Sequence, residues 1–222
     1  MKKRNRKNIV ITLGLLASFL LWTAAVSSID VQAIGPKGSA VGFAGLNSGF
    51  HSMTGVHMTL YTVTDWLGLV PVGIALGFAI LGLAQLIRRK RFLRVDHSIL
   101  ALGGFYILVI AAYLFFEAYA VNYRPVLING YLEASYPSST TMLVLCVIPT
   151  AMMQLNSRLR NGPVKKRVLV ILAAFAVFMV AGRLISGVHW LTDIVGSVPL
   201  SAGLVMLYHS VCSLFEPQES KM

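Results

Sequence analysis

Six long apolar runs, broken by three clusters of basic residues, leave this chain few ways to fold. The runs cover about 9–29, 66–87, 98–120, 138–155, 168–186 and 190–213, most of them near the ~20 residues that carry a helix across a bilayer. They are continuous rather than alternating in polarity, which predicts helices and not the strands of a barrel. The clusters are Lys2, Lys3, Arg4, Arg6 and Lys7; Arg88, Arg89, Lys90, Arg91 and Arg94; and Arg158, Arg160, Lys165, Lys166 and Arg167, with Lys221 at the tail. If each run crosses once, all of them fall on one face, as the cytoplasmic enrichment of basic loops requires. The expectation is an all-α polytopic protein of the cytoplasmic (plasma) membrane, a six-transmembrane-helix bundle with both termini inside. Of the nineteen Lys and Arg residues, Lys37, Arg124 and Arg183 are left for the outer side.

Composition agrees. With 56% hydrophobic and 12% charged residues and a mean hydropathy of +0.74, the chain lies outside the soluble globular range. A net charge of +11 would suggest nucleic acid in a soluble protein, but here the basic residues flank apolar spans, where orientation and anionic headgroups account for them. No nucleic-acid partner is expected. Cys146 and Cys212 sit inside apolar runs, which indicates neither a disulfide framework nor zinc. The start, with its small-residue stretch ending Val31-Gln32-Ala33, resembles a cleavable signal, but its apolar run exceeds the ~7–15 residues usual for one. A retained first span is the expectation, and residues 1–222 form one membrane domain without internal repeats.

The first outer loop, about 34–65, is rich in Gly and Ser and carries His51, His57 and Asp65, with a weak helical pattern over 53–63. The second, about 121–137, contains Asn122, Arg124, Pro125, Glu133 and Pro137, and the third is only a few residues around 186–188. Tyr119, Tyr123, Tyr131, Tyr136 and Trp190 fall near these outer ends, where amphipathic rings favour the membrane interface.

Three pieces with chemical potential gather at the outer ends of the last four spans. Arg124-Pro125 offers a planar fork for phosphate oxygens, although one arginine at headgroup level is the plainer reading. Tyr136-Pro137-Ser138-Ser139-Thr140 opens the fourth span, where hydroxyls cap a helix; the same free N–H groups and dipole also make a phosphate site. Arg183, His189 and Asp193 form the strongest piece. On a helix His189 and Asp193 share a face, so the carboxylate can hold one ring nitrogen and leave the other free to attack or accept a proton. Ionisable residues beside an apolar span are costly and functional by default.

Together, six spans, Arg124-Pro125, Pro137-Ser138 and the spacing of Arg183, His189 and Asp193 resemble the type 2 phosphatidic acid phosphatases, the membrane branch of the superfamily that includes vanadium haloperoxidases. The likeness covers about 98–200, and the first two spans match only in number. The resemblance implies a lipid phosphatase bundle with its active site facing outside and a phosphorylated lipid as substrate. It makes His189 the nucleophile forming a phosphohistidine, oriented by Asp193. Arg124, Arg183, the Ser138 hydroxyl and N–H groups near Ser139 would bind the phosphoryl oxygens, with no metal or other cofactor.

Four positions depart from that pattern, the mildest being Gly182, since the family's third motif opens Ser-Arg where this chain has Gly182-Arg183. The family's first motif begins with a lysine where this chain has Glu117, and its second reads Pro-Ser-Gly-His where this chain has Pro137-Ser138-Ser139-Thr140. Threonine cannot serve as a general acid near neutral pH, and losing one costs roughly 100- to 10,000-fold on a poor leaving group. A leaving phosphate monoester, with a second pKa of ~6, demands far less than an alkoxide. A lipid diphosphate of the polyprenyl pyrophosphate class therefore fits better than phosphatidate. Glu117 can serve as an acid if desolvation raises its pKa, and so can His51 and His57 of the first outer loop, but the expectation is that Glu117 pairs structurally with an active-site arginine. The alternative function is a catalytically silent member that binds a phosphorylated lipid; a transporter would carry charges deep within its spans, which are nearly absent.

Overall fold

The computed structural model describes residues 3–215; Lys2 and Lys221 of the basic face lie outside them. Six helices in this range are long and apolar enough to cross a membrane: Asn5–Ser28, Met58–Arg89, His97–Ala118, Ser139–Arg158, Pro163–Ile185 and Leu191–Phe215. In chain order the helices are α1 (Lys3–Ser28), α2 (Ala44–Thr54), α3 (Met58–Leu67), α4 (Leu69–Arg89), α5 (His97–Ala118), α6 (Ser139–Arg158), α7 (Pro163–Ile185) and α8 (Leu191–Phe215). The chain is a multi-pass membrane protein of all-α architecture.

The largest difference from the sequence reading lies in the first loop, which is mostly helical. α3 runs through Gly68, whose backbone stays helical, into α4, giving a 32-residue unit about 48 Å long at 1.5 Å per residue. A hydrocarbon core of ~30 Å holds only part of that length, so one end stands clear of it. The fourth and fifth spans are also longer than their apolar runs. α6 continues past Pro149 to Arg158, and α7 starts on Pro163, whose missing N–H costs nothing at a first helical position.

α6 and α8 are the most buried spans. α1, α5, α6 and α8 share a core of Phe19, Leu102, Phe105, Met142, Leu204 and Tyr208, while Val144, Ile148 and Met179 join α6 to α7. Small residues let α8 approach α6 closely, as in membrane helix pairs generally. A side chain at Gly196 would lie 2.6 Å from the Tyr136 ring, and Ser197 and Ser201 donate to the carbonyls of Ser138 and Met142 at 3.2 and 3.4 Å. At the end carrying the basic clusters, Asp96 ties α4 and α6 to the start of α5 through Arg89 at 2.9 Å and Arg158 at 3.2 Å.

Alternation of helix direction puts the ends of α5 and α7 and the starts of α6 and α8 at the opposite end. There the 119–138 connection folds back on itself. Asn129 and Gly130 take positive φ, the conformation an Asn-Gly hairpin turn requires. Tyr123 pairs with Ala134 in an antiparallel bridge, flanked by Arg124 N–H to Glu133 O at 3.0 Å and Ser135 N–H to Asn122 O at 2.9 Å.

Candidate functional site

α7 ends two residues after Arg183, and Gly187 turns the chain with φ +69. A Cβ there would sit 1.9 Å from the Gly55 carbonyl oxygen, and the His57 N–H bonds the Ser186 carbonyl at 2.9 Å. The α2–α3 link thus packs directly on the turn that carries His189. α8 begins at Leu191, so His189 precedes the helix and does not share a helical face with Asp193, a correction to the sequence reading. Asp193, in the first turn, accepts from the Trp190 N–H at 2.9 Å, as the third-position carboxylate of a capping box does.

His189 Nδ1 and Asp193 Oδ2 are 3.8 Å apart, beyond a hydrogen bond. The gap is filled by Ser135, delivered by the hairpin. Its Oγ is 3.0 Å from His189 Nδ1 and donates to Asp193 Oδ2. The other carboxylate oxygen accepts from Asn122 Nδ2 at 3.2 Å. This chain of contacts assigns the histidine tautomer. A carboxylate only accepts, so the one hydroxyl proton goes to Asp193; Oγ must then accept from Nδ1–H. Nε2 is left with its lone pair, and it is buried without a hydrogen-bond partner. Burial above all, with the charges of Arg124 and Arg183 adding and Asp193 opposing, pushes the His189 pKa down to about 4. The imidazole is neutral at physiological pH.

Ser135→Ala is expected to strand the Nδ1–H in a buried site. An unsatisfied donor costs about 1–3 kcal/mol, so the variant should melt lower than wild type. Thermal melts alongside nitrogen NMR of the His189 ring check this, since the variant should lose the single Nδ1–H tautomer.

Arg183 is 1% exposed and Arg124 8%. They approach one aromatic ring: the guanidinium carbon of Arg183 lies 4.9 Å and that of Arg124 5.7 Å from the centroid of Tyr61, a residue of α3. Arg183 Nη1 is 3.5 Å from Asp65 Oδ1 and from Thr64 Oγ1. Arg124 Nε is 3.1 Å from Glu133 Oε2, a charge contact whose geometry leaves Nε and Nη1 without hydrogen-bond partners. The expected pairing of Glu117 with an active-site arginine is overturned. Glu117 is exposed at the end of α5, no ion pair among the described residues involves it, and Glu133 holds that place because the hairpin sets it beside Arg124.

Ser138 is fully buried, caps α6 without a side-chain bond, and its Oγ has no partner. Its N–H bonds the Asp193 carbonyl at 3.3 Å, which fastens the start of α6 to that of α8. Ser139 and Thr140 are half-buried and line a cavity beside Asp65. Unpartnered polar atoms on Arg124, Arg183, Ser138 and His189 in a buried region need an explanation, and a tetrahedral anion supplies acceptors for the guanidinium and hydroxyl donors and an electrophile for the bare nitrogen. His51 packs its ring 5.5 Å from Trp190 and burial lowers its pKa, while His57 is exposed and bonds the Thr54 carbonyl. Tyr136 and Trp190, at 1% and 4% exposure, are core residues rather than interface anchors. The sequence reading places Asn122 and Asp65 in the outer loops without a role and does not include Ser135 or Tyr61; Asn129-Gly130 is the readable sign that Asn122–Arg124 and Glu133–Ser135 pair.

No protein-family model matches the chain, and no curated protein matches it. Among solved structures it is similar to a transmembrane PAP2 type phosphatidylglycerolphosphate phosphatase from Bacillus subtilis, with 23% identity, a TM-score of 0.52, and coverage of 92% of this chain and 97% of that one. The likeness therefore reaches well beyond 98–200 and takes in the first two spans. The chain has the fold of that transmembrane PAP2-type protein.

Proposed function

We propose that this chain is a membrane lipid phosphatase of the PAP2 type that works through a phosphohistidine on His189, at the face opposite the basic clusters. One observation carries the reading: a neutral, buried His189 with a bare Nε2, held through Ser135 by Asp193, in the field of two buried guanidiniums. Arg124, Arg183, the Ser138 hydroxyl and the N-terminus of α6 near Ser139 bind the phosphoryl oxygens. Nε2 attacks phosphorus as the bond to the leaving oxygen breaks, and the guanidiniums stabilise the charge that builds on the equatorial oxygens. The basic residues at the ends of α4 and α6 and the start of α7 support an outward-facing site.

The substrate is a lipid diphosphate. Thr140 supplies no acid, and Glu117 is exposed at the edge of a narrow cavity shared with Ser135 and Ser139, so on this reading the leaving group departs unprotonated, as a lipid phosphate can. Purified protein in chelator is expected to release phosphate from a polyprenyl diphosphate on the order of 100-fold or more faster than from a lipid monophosphate with the same tail. Comparable rates would exclude this preference. Thr140 also favours a second reading, a silent phospholipid-binding protein, and that reading predicts binding of both lipids with release from neither.

A further inference from the structure

A cavity of about 300 Å³ opens beside the phosphate site between α3–α4, α5 and α6. Leu69, Val109 and Leu143 make much of its wall apolar, and its polar members are Asp65, Ser139 and Thr140. Asp65 faces both compartments: it lines this cavity and its Oδ1 lies 3.5 Å from Arg183 Nη1. That distance is long for a charge-assisted bond, which closes to about 2.7–2.9 Å. The side chain is 56% exposed, so water reaches it. Asp65 is also the sole acidic residue between 34 and 65.

A phosphohistidine must be cleared by water, and water needs a base. The alcohols Ser139 and Thr140 cannot accept a proton near neutral pH. Glu133 lies against Arg124 Nε at 3.1 Å and is not part of the cavity wall. His51 packs on Trp190 with its Nδ1 buried and does not line this cavity, and Glu117 lines a separate, narrow cavity with Ser135 and Ser139. A phosphoryl group arriving at Arg183 would compete with the loose Asp65 contact and release a carboxylate held 3.5 Å from that guanidinium.

We infer that Asp65 is the general base for hydrolysis of the phosphohistidine, a role that rests on the phosphatase reading above. In the first step His189 Nε2 forms a bond to the terminal phosphorus and the bridging P–O bond breaks, its electron pair leaving with the lipid monophosphate. In the second, Asp65 takes a proton from water as the water oxygen bonds to phosphorus. The P–N bond breaks, its electron pair returns to Nε2, inorganic phosphate leaves, and Asp65 gives its proton to solvent.

The two steps separate in a rapid-quench experiment on the full chain in micelles, using a polyprenyl diphosphate radiolabelled at its terminal phosphate and an alkaline quench. Asp65→Asn is expected to release one lipid monophosphate per protein at close to the wild-type rate. Its steady-state turnover then falls about 100-fold or more while label persists on the protein, and His189→Ala carries none. Asp65→Glu, which keeps the carboxylate, should clear the label. Asp65→Asn turnover within about threefold of wild type, or a slow first turnover with no bound label, overturns the assignment; so does label that accumulates in Glu133→Gln instead. A wild type that neither turns over nor labels overturns the phosphatase reading itself, and this assignment with it.

Discussion

His189→Ala lowers lipid diphosphate turnover by roughly 10⁴- to 10⁶-fold, the expected cost of deleting a nucleophile from a site whose other parts stay in place. Arg124, Arg183 and Ser138 remain, so the variant still binds the diphosphate with an affinity near that of wild type. Loss of binding together with turnover would point to a collapsed site, and retained turnover would remove His189 from the chemistry. His189→Gln, which fills more of the buried space, should be equally inactive. A second readout follows from burial. The His189 pKa is about 4 in the folded chain against an ordinary 6.5, so on acidification the unfolded state takes up this proton first. The contribution to stability is complete above 6.5 and lost as pH falls towards 4, and below 4 both states are protonated. Thermal melts of wild type should decline across that window, and His189→Ala should lack this part of the slope. Wild-type kcat/KM, which reports ionisations of the free protein, should likewise hold until the pH falls towards about 4, because the groups facing the ring are Ser135, Asp193 and the two arginines.

Arg183→Met separates function from stability. Removing one preorganised cation from the transition state should reduce kcat/KM on the order of 10²- to 10³-fold. Yet Arg183 and Arg124 approach the same Tyr61 ring with Arg183 Nε buried and unpartnered, so without an anion two like charges repel in a desolvated setting. Half-exposed Asp65 can turn to water when its partner is gone. Removing one member of a buried pair destabilises when it strands the other charge; Asp65 is 56% exposed and is not stranded, so Arg183→Met should melt no lower than wild type. Inorganic phosphate should raise the melting temperature of wild type clearly more than that of the variant, which keeps only Arg124, Ser138 and the start of α6 to bind it. A large fall in melting temperature would make Arg183 a structural cation instead, held for its contacts with Asp65 and Thr64.

The bundle was legible because its signals are local. A span is written as consecutive apolar residues, and the grouping of Arg124, Ser138, Arg183 and His189 at one end follows from alternating helix direction alone. Local signals fail where an element boundary matters: the four-residue spacing of His189 and Asp193 suggests a common helix, but α8 starts after His189 and Asp193 caps it. Glu117 and Glu133 show the same limit. Both are acidic residues within ten positions of Arg124, and only the Asn129-Gly130 hairpin sets Glu133, rather than Glu117, against the guanidinium.

Membrane insertion and the choice of reactive residue types thus came from one-dimensional pattern, since hydrophobic length, charge and side-chain chemistry are properties a residue carries wherever it sits. Which groups touch came from packing. Ser135 bridging His189 and Asp193, Tyr61 beneath both arginines, and Asp65 between Arg183 and the cavity join residues up to more than a hundred positions apart. Those contacts arise because α3 lies along α7 and small residues bring α6 against α8, and the hydrogen-bond geometry that leaves Nε2 bare exists only once those surfaces have closed.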